Sequence, residues 1–312
     1  MDSTIVARDP QMVEILKLLK RLAKAPSNVL LSGESGTGKD LAAHALHFWG
    51  PRASLPVVKV DLPSIPAALI ESELFGFERG AFTGAAASKA GKLEMAKGGT
   101  LYLDHIGELP PILQAKLLRV VEDRRFERLG GNRAIALEAR IVASASADLV
   151  QAVDRELFRR DLFHRLGVFW IRLPALRERP KDVVPLAELF LAREAERLGR
   201  GVARRFSPEA IESLQSYSWP GNVRELKGAV EHAALLGQTD SVERSDLPAH
   251  IREAAPLSWF ASRRKRPSLV EVERLYIERI LKEVGGNQTR AAEILGISRK
   301  SLWERRRRFD LE

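Results

Sequence analysis

With 312 residues, 45% of them apolar and 29% charged, the chain is long enough for about two domains with their own cores. The absence of cysteine excludes a disulfide framework and thiolate metal sites. The N-terminal MDSTIVARDP lacks a signal-peptide core and no apolar run reaches membrane-spanning length, so a cytoplasmic protein without a membrane partner is expected. The net charge of +9 is unevenly spread: residues 261–312 hold 14 Lys/Arg against 8 Asp/Glu, which points to an anionic partner at that end.

In QMVEILKLLKRLAKA (11–25), Met12, Ile15, Leu16, Leu19 and Leu22 fall on one helical face. Val29-Leu30-Leu31 then predicts a strand running into SGESGTGKD and a following helix, LAAHALHFW. Further short apolar runs are PVVKVD (56–61), TLYLD (100–104), RIVASAS (140–146) and VFWIRL (168–173), each separated by helical or loop sequence. Strands alternating with helices predict an α/β domain with a parallel sheet covered on both faces. From 181 to 247 the pattern is wholly helical, with apolar faces in VVPLAELFLAREAERL and ELKGAVEHAALL. Residues 250–268 hold two prolines and no clear period, which predicts a linker before a small helical unit of about 45 residues.

GESGTGKD fits G-x-x-x-x-G-K with an acid in place of Ser/Thr, and it lies between a strand and a helix. Gly33, Gly36 and Gly38 permit a turn that aims backbone N–H groups of the stretch Gly33, Glu34, Ser35, Thr37 and on to Leu41 at phosphate oxygens. Lys39 is expected to reach the β- and γ-phosphates, and Asp40 stands where a hydroxyl usually touches magnesium. The bland alternative is a glycine turn that binds nothing. The strand TLYLD delivers Asp104 as a candidate ligand for Mg2+, and the next residue is His105.

GESGTGKD, ELFGFERGAFTGA (73–85), LFRRDLFHRL and WPGNVRELK (219–227) occur in the order found in bacterial enhancer-binding proteins. The chain therefore resembles the AAA+ activators of sigma-54 RNA polymerase from about residue 3 to its end. The resemblance implies an AAA+ α/β subdomain at 1–180, a helical lid at 181–247, a linker at 248–268 and a DNA-binding domain at 269–312. It implies ATP and Mg2+ as cofactors and a homo-oligomer, usually a hexameric ring, with ATP between subunits. The loop Gly80, Ala81, Phe82, Thr83, Gly84, Ala85 would contact sigma-54; an apolar tip held between two glycines suits that use. Arg159 and Arg165 match the positions used as trans-acting fingers, although Arg165 also reads as a surface ion-pair residue. Arg224 matches the sensor II arginine. Relatives often carry a sensory domain ahead of the ATPase, so either a trans-acting regulatory protein or a longer parent chain is expected.

The hydrolytic centre departs from the resemblance. The family usually has LDEI, with Glu polarising the attacking water; here the stretch is LDHI, with His105 in that position. Asp61 stands where an Asn commonly pairs with that Glu, and Ser146 where the sensor I residue is usually Asn. An imidazole can accept a proton, yet beside Asp104, Asp61 and a triphosphate it is expected to be held charged, which removes its use as a base. Two readings follow. Either an Asp61–His105 pair replaces Asn–Glu in an active ATPase, or the chain binds ATP, hydrolyses it poorly and acts as a DNA-binding regulator or a mixed-ring subunit.

The C-terminal stretch from Ser268 resembles a Fis-type helix-turn-helix. A first helix at about 270–284 breaks at Gly285-Gly286, Asn287 caps the next, Gly296 turns, and Ser298 caps a recognition helix at 299–309. Such a unit is expected to dimerise through its first helix and to read enhancer-like double-stranded DNA. Arg299 and Lys300 are candidates near bases, and Arg290, Arg305, Arg306, Arg307 and Arg308 for phosphates.

Overall fold

The computed structural model describes residues 5–199, 205–237, 241–252 and 268–309, which divide into two units, Met1–Ala254 and Ala255–Glu312. In the first unit α1 (Pro10–Ala23) starts at Asp9, whose side chain accepts a hydrogen bond from the Gln11 N–H while Pro10 takes the first helical position. It leads into β1 (Val29–Ser32) and α2 (Lys39–Phe48), then β2 (Val57–Asp61) and α3 (Ala67–Phe75). A hairpin of β3 (Gly76–Phe77) and β4 (Lys89–Ala90) precedes α4 (Lys92–Met95), β5 (Thr100–Asp104) and α5 (Pro111–Asp123). A second hairpin, β6 (Arg125–Phe126) and β7 (Ile135–Ala136), precedes β8 (Arg140–Ala145), α6 (Leu149–Asp154), α7 (Arg160–Leu166) and β9 (Phe169–Arg172).

The five long strands pair in parallel in the order β2-β5-β8-β1-β9. The α/β expectation therefore holds, and each of its five strands is present. Side chains alternate across the sheet. Leu30, Leu101, Leu103, Ile141 and Ala143 enter the core shared with α3 and α5, whereas Val29, Leu31, Tyr102 and Val142 meet α1 and α2. That alternation carries Tyr102 to the α2 side, a point of consequence for the site.

The helical subdomain comprises α8 (Val183–Arg197), β10 (Arg205–Phe206), α9 (Pro208–Ser216), α10 (Asn222–Leu236), β11 (Ser241–Val242) and α11 (Ala249–Arg252). Its core centres on Trp219, fully buried, whose indole N–H donates to the Leu214 carbonyl at 2.8 Å. The expected linker starts too early at 248: α11 is helical and Ile251 is packed into this core. The rest of that linker, 253–267, lies outside the described residues.

The second unit holds α12 (Leu269–Glu283), α13 (Gln288–Leu295) and α14 (Arg299–Arg308). Asn287 and Ser298 cap α13 and α14 by accepting from the Arg290 and Ser301 N–H groups. Gly296 takes the left-handed conformation (φ +64°) that ends α13. Ile277, Ile280, Leu281, Ala291, Ala292 and Leu302 form its small core. Among the described residues no helix is long and apolar enough to cross a membrane.

Candidate functional site

The loop between β1 and α2 is shaped by its glycines. Gly33, Gly36 and Gly38 have φ of +150°, +80° and +104°, and all three fall where L side chains are strained. A Cβ on Gly36 would also stand 2.3 Å from the Gly221 carbonyl oxygen, so the loop and the start of α10 approach as only glycine allows. Lys39, the first residue of α2, is buried and donates to the carbonyls of Gly33 (2.7 Å) and Glu34 (3.0 Å). Burial lowers its pKa against the raising influence of Asp104 and Asp40.

The lid grips this loop from the other side. Arg224 donates to Ser35 Oγ at 2.9 Å, and Asn222 donates to the Ser35 carbonyl at 3.0 Å and accepts from the Leu176 N–H at 2.7 Å. Arg177 clamps Glu34 with both guanidinium nitrogens, and that hydrogen bond is the main cause holding the Glu34 carboxyl at about 2. Arg179, buried beside Asp182, donates to the Thr37 carbonyl at 2.8 Å. Asp182 in turn accepts from the backbone of Arg8 and Asp9.

At the opposite flank the ends of β2 and β5 stand side by side, with Asp61 and Asp104 as register partners. Asp104 is 4% exposed; its Oδ2 meets the Lys59 ammonium at 2.9 Å, and the same ammonium meets Asp40 at 2.5 Å. The Tyr102 hydroxyl lies 2.8 Å from Asp40 Oδ1 and 3.0 Å from Asp104 Oδ1. Ser144 donates to Asp104 Oδ1 and accepts from the His105 N–H at 3.2 Å. Burial works to raise the Asp104 pKa, but the hydrogen bonds from Ser144, Lys59 and Tyr102 outweigh it and hold the carboxyl at about 2. Burial likewise opposes the charge on Lys59, and its two carboxylates more than compensate, raising its pKa.

His105 has φ +58° and ψ +48°, an uncommon left-handed conformation for a non-glycine residue. Its Nδ1 lies 3.3 Å from Asp61 Oδ1 and 3.6 Å from Asp104 Oδ1. Ser146 does not join them. β8 ends at Ala145, and Ser146 lies exposed one residue further on, whereas Ser144, two residues earlier on the strand, makes the contacts. Lys59, Tyr102, Ser144, Arg177, Arg179 and Asn222 are site residues that motif reading missed. Strand alternation was the available signal for Tyr102 and Ser144.

Arg159 and Arg165 lie on the surface at α7, paired to Asp161 at 2.7 Å and Glu122 at 2.8 Å. Gln114 anchors this segment by accepting from the Arg159 N–H at 2.8 Å. The GAFTGA segment tips the β3–β4 hairpin. Gly80 and Gly84 have φ of +84° and +103°, and the Gly80 N–H donates to the Ala85 carbonyl at 2.9 Å. Phe82 is 45% exposed and meets Phe77 edge-on with ring centroids 5.0 Å apart, while Ala85 is buried. The second hairpin supports it: the Glu78 N–H donates to the Leu129 carbonyl at 2.9 Å.

In the C-terminal unit Arg290, Arg299, Lys300, Arg307 and Arg308 are exposed. Arg305 differs from the expectation of a phosphate grip. Its guanidinium is half-buried, paired with Glu273 of α12 and bonded to Ser301 Oγ, so it ties the recognition helix to the first helix. Arg307 lies over the Trp303 ring at 5.7 Å.

The chain matches the sigma-54 interaction domain over residues 5–172, the AAA+ ATPase lid domain over 177–259 and the bacterial regulatory protein, Fis family, over 268–309. It is similar to the transcriptional regulatory protein ZraR of Salmonella typhimurium, 41% identical over 96% of this chain and 67% of the relative. It is also similar to the regulatory protein AtoC of Escherichia coli, 40% identical over 99% and 68%. The crystal structure of NtrX from Brucella abortus in complex with ATP aligns with a TM-score of 0.76 and 33% identity, covering 99% of this chain and 70% of that one.

Proposed function

Because the chain belongs to the sigma-54-dependent activators, AAA+ ATPases that carry a Fis-type DNA-binding domain, we propose that it binds ATP in the loop 33–41 and works as a ring. In that ring it drives the Gly80–Ala85 loop against sigma-54 and remodels the closed promoter complex. The observation that carries this reading is the presence, in one unit, of the lid-gripped phosphate loop beside Asp104 and of a braced hairpin with Phe82 exposed at its tip. Asp40 and Asp104 already bracket one positive charge, Lys59, so their donor set fits a divalent ion. Asp104, with Asp40 beside it, would hold Mg2+, which when bound neutralises phosphate charge. Arg159 and Arg165 serve the neighbouring subunit's nucleotide, an effect worth about 10³–10⁵ in rate. Arg299 and Lys300 approach bases, and Arg290, Arg306, Arg307 and Arg308 approach phosphates, of enhancer-like DNA upstream of the promoter.

For hydrolysis, the 3.3 Å approach of Asp61 to His105 favours the substituted pair: the carboxylate orients the imidazole from Nδ1 and leaves Nε2 for water. The second reading, nucleotide binding with little turnover, is favoured by Lys59, which already draws on Asp104. Single-turnover release of γ-phosphate separates them. We expect wild type to exceed Lys39→Ala clearly, and Asp61→Asn to lower the wild-type rate by about 10²–10⁴, the usual contribution of a general base. Wild type equal to Lys39→Ala, with His105→Glu faster than both, establishes the second reading.

A further inference from the structure

Three donors meet at the C-terminal ends of β2 and β5: one carboxylate oxygen each from Asp61 and Asp104 and one imidazole nitrogen of His105, all within 4.8 Å of one another. We propose that in the nucleotide-free chain these three residues form a binding site for a first-row transition-metal ion of the zinc and cobalt class, in preference to magnesium. The inference rests on the reading of this sheet edge as the hydrolytic face of the nucleotide site and names the ion that face selects.

Distance is the first argument. His105 Nδ1 stands 3.3 Å from Asp61 Oδ1 and 3.6 Å from Asp104 Oδ1. Zinc–ligand bonds of about 2.0–2.1 Å in a tetrahedron place neighbouring ligand atoms about 3.3 Å apart. The imidazole nitrogen thus stands near chelating separation from both carboxylates, whose oxygens lie within 4.8 Å of each other. Donor chemistry is the second. Imidazole suits zinc, copper, iron and nickel, whereas magnesium takes oxygen ligands and keeps several waters. A carboxylate at position 105 would leave an all-oxygen set; the imidazole moves the preference.

Charge and orientation complete the case. Asp40, Asp61 and Asp104 bring three carboxylates to this edge, and Lys59 is the ammonium bonded to two of them. Lys39 is engaged with loop carbonyls. Lys59 takes Oδ2 of Asp104, so Oδ1 is the oxygen on the His105 side. The Tyr102 hydroxyl has one proton to give and lies nearer Asp40, and when it gives it there a lone pair of Asp104 Oδ1 is left. Ser144 donates to Asp104 Oδ1 and accepts from the backbone N–H of His105, so it fixes the carboxylate and the main chain that carries the imidazole. Outer partners of this kind fix ligand geometry and typically contribute 10–100-fold in metal affinity. The side chains of His105 and Asp61 are 40% and 43% exposed, which leaves a face open for a further ligand such as water or a phosphate oxygen.

The test titrates the full chain, without nucleotide, with Co2+ and follows visible d–d absorption, using circular dichroism to verify that each variant is folded. We expect one Co2+ per chain, displaced by equimolar Zn2+ and retained against about a hundredfold excess of Mg2+. His105→Glu and Asp61→Asn should each weaken Co2+ at least about tenfold. Absence of the absorption in wild type overturns the proposal, as does displacement by equimolar Mg2+. So does equal affinity in wild type and both variants, which would assign the ion to other histidines. Binding of a fluorescent ATP analogue, measured in parallel, keeps the two readings apart. Loss of nucleotide binding with Co2+ retained breaks the functional reading alone, and nucleotide binding without Co2+ selectivity breaks the metal site alone.

Discussion

The two flanks of the nucleotide loop are held by different means. On the lid side most of the closure engages backbone, Gly36 against the Gly221 carbonyl and the Ser35 and Thr37 carbonyls taken by Asn222 and Arg179, with the Arg177–Glu34 pair and the Arg224–Ser35 bond added between side chains. On the sheet-edge side contact runs through ionisable side chains, Asp40, Lys59, Tyr102, Asp104, Asp61 and His105. Backbone contacts leave little freedom to substitute, since a Cβ or a lost donor breaks them. A side-chain network can exchange one charge for another and still close. The resemblance to sigma-54 activators is intact on the first flank and altered on the second, as that difference leads one to expect.

The largest effect should come from a buried ion pair on the lid flank. Arg179 and Asp182 are 3% and 0% exposed, and Arg179 links the lid to the Thr37 carbonyl. Arg179→Leu leaves Asp182 as a buried charge without its partner, a change that costs about 3–5 kcal/mol. Urea denaturation should show that loss, whereas Lys59→Met on the more exposed sheet edge should cost clearly less. Equal losses would remove the contrast between the flanks. Gly36→Ala comes next. Its φ of +80° and the 2.3 Å approach to Gly221 force either strain or withdrawal of α10; left-handed strain alone costs about 1–3 kcal/mol. We expect a lower melting temperature together with weaker binding of the ATP analogue; unchanged values for both would show that the lid can move away freely.

The same contrast governs what was legible in the sequence. Strand–helix alternation and the glycine spacing are local patterns, so the sheet, the loop and the helix-turn-helix could be read from neighbouring residues. The carboxylate Asp104 and the odd His105 were legible for the same reason. Ser144 was missed because its reach to Asp104 depends on the register of β8 against β5, a relation between strands some forty residues apart. Lys59 and Tyr102 reach Asp40 only through the parallel pairing of β2 with β5 and the side-chain alternation of β5. Arg305 read as one of four equivalent arginines, and only the packing of α14 on α12 sets it apart by pairing it with Glu273.

The smallest effect concerns pH and the clamp between Arg177 and Glu34. The Arg177 hydrogen bond is the main cause holding the Glu34 carboxyl at about 2, below its ordinary 4.5. A depressed carboxyl pKa adds stability that is fully present above the unfolded value and is lost as pH falls through the folded value. The advantage of wild type over Glu34→Gln should therefore be constant above pH 5 or so, shrink between about 4.5 and 2 and vanish below that range. Comparing the two chains cancels the contribution of Asp104, which titrates in both. The Glu34 side chain is 36% exposed, so water screens the pair and the difference will be modest. Unfolding free energies measured from pH 6 to 2 provide the check. A difference that does not change with pH would mean that Arg177 holds the loop by shape and hydrogen bonding alone, which would make this contact, too, one of the rigid kind found on the lid flank.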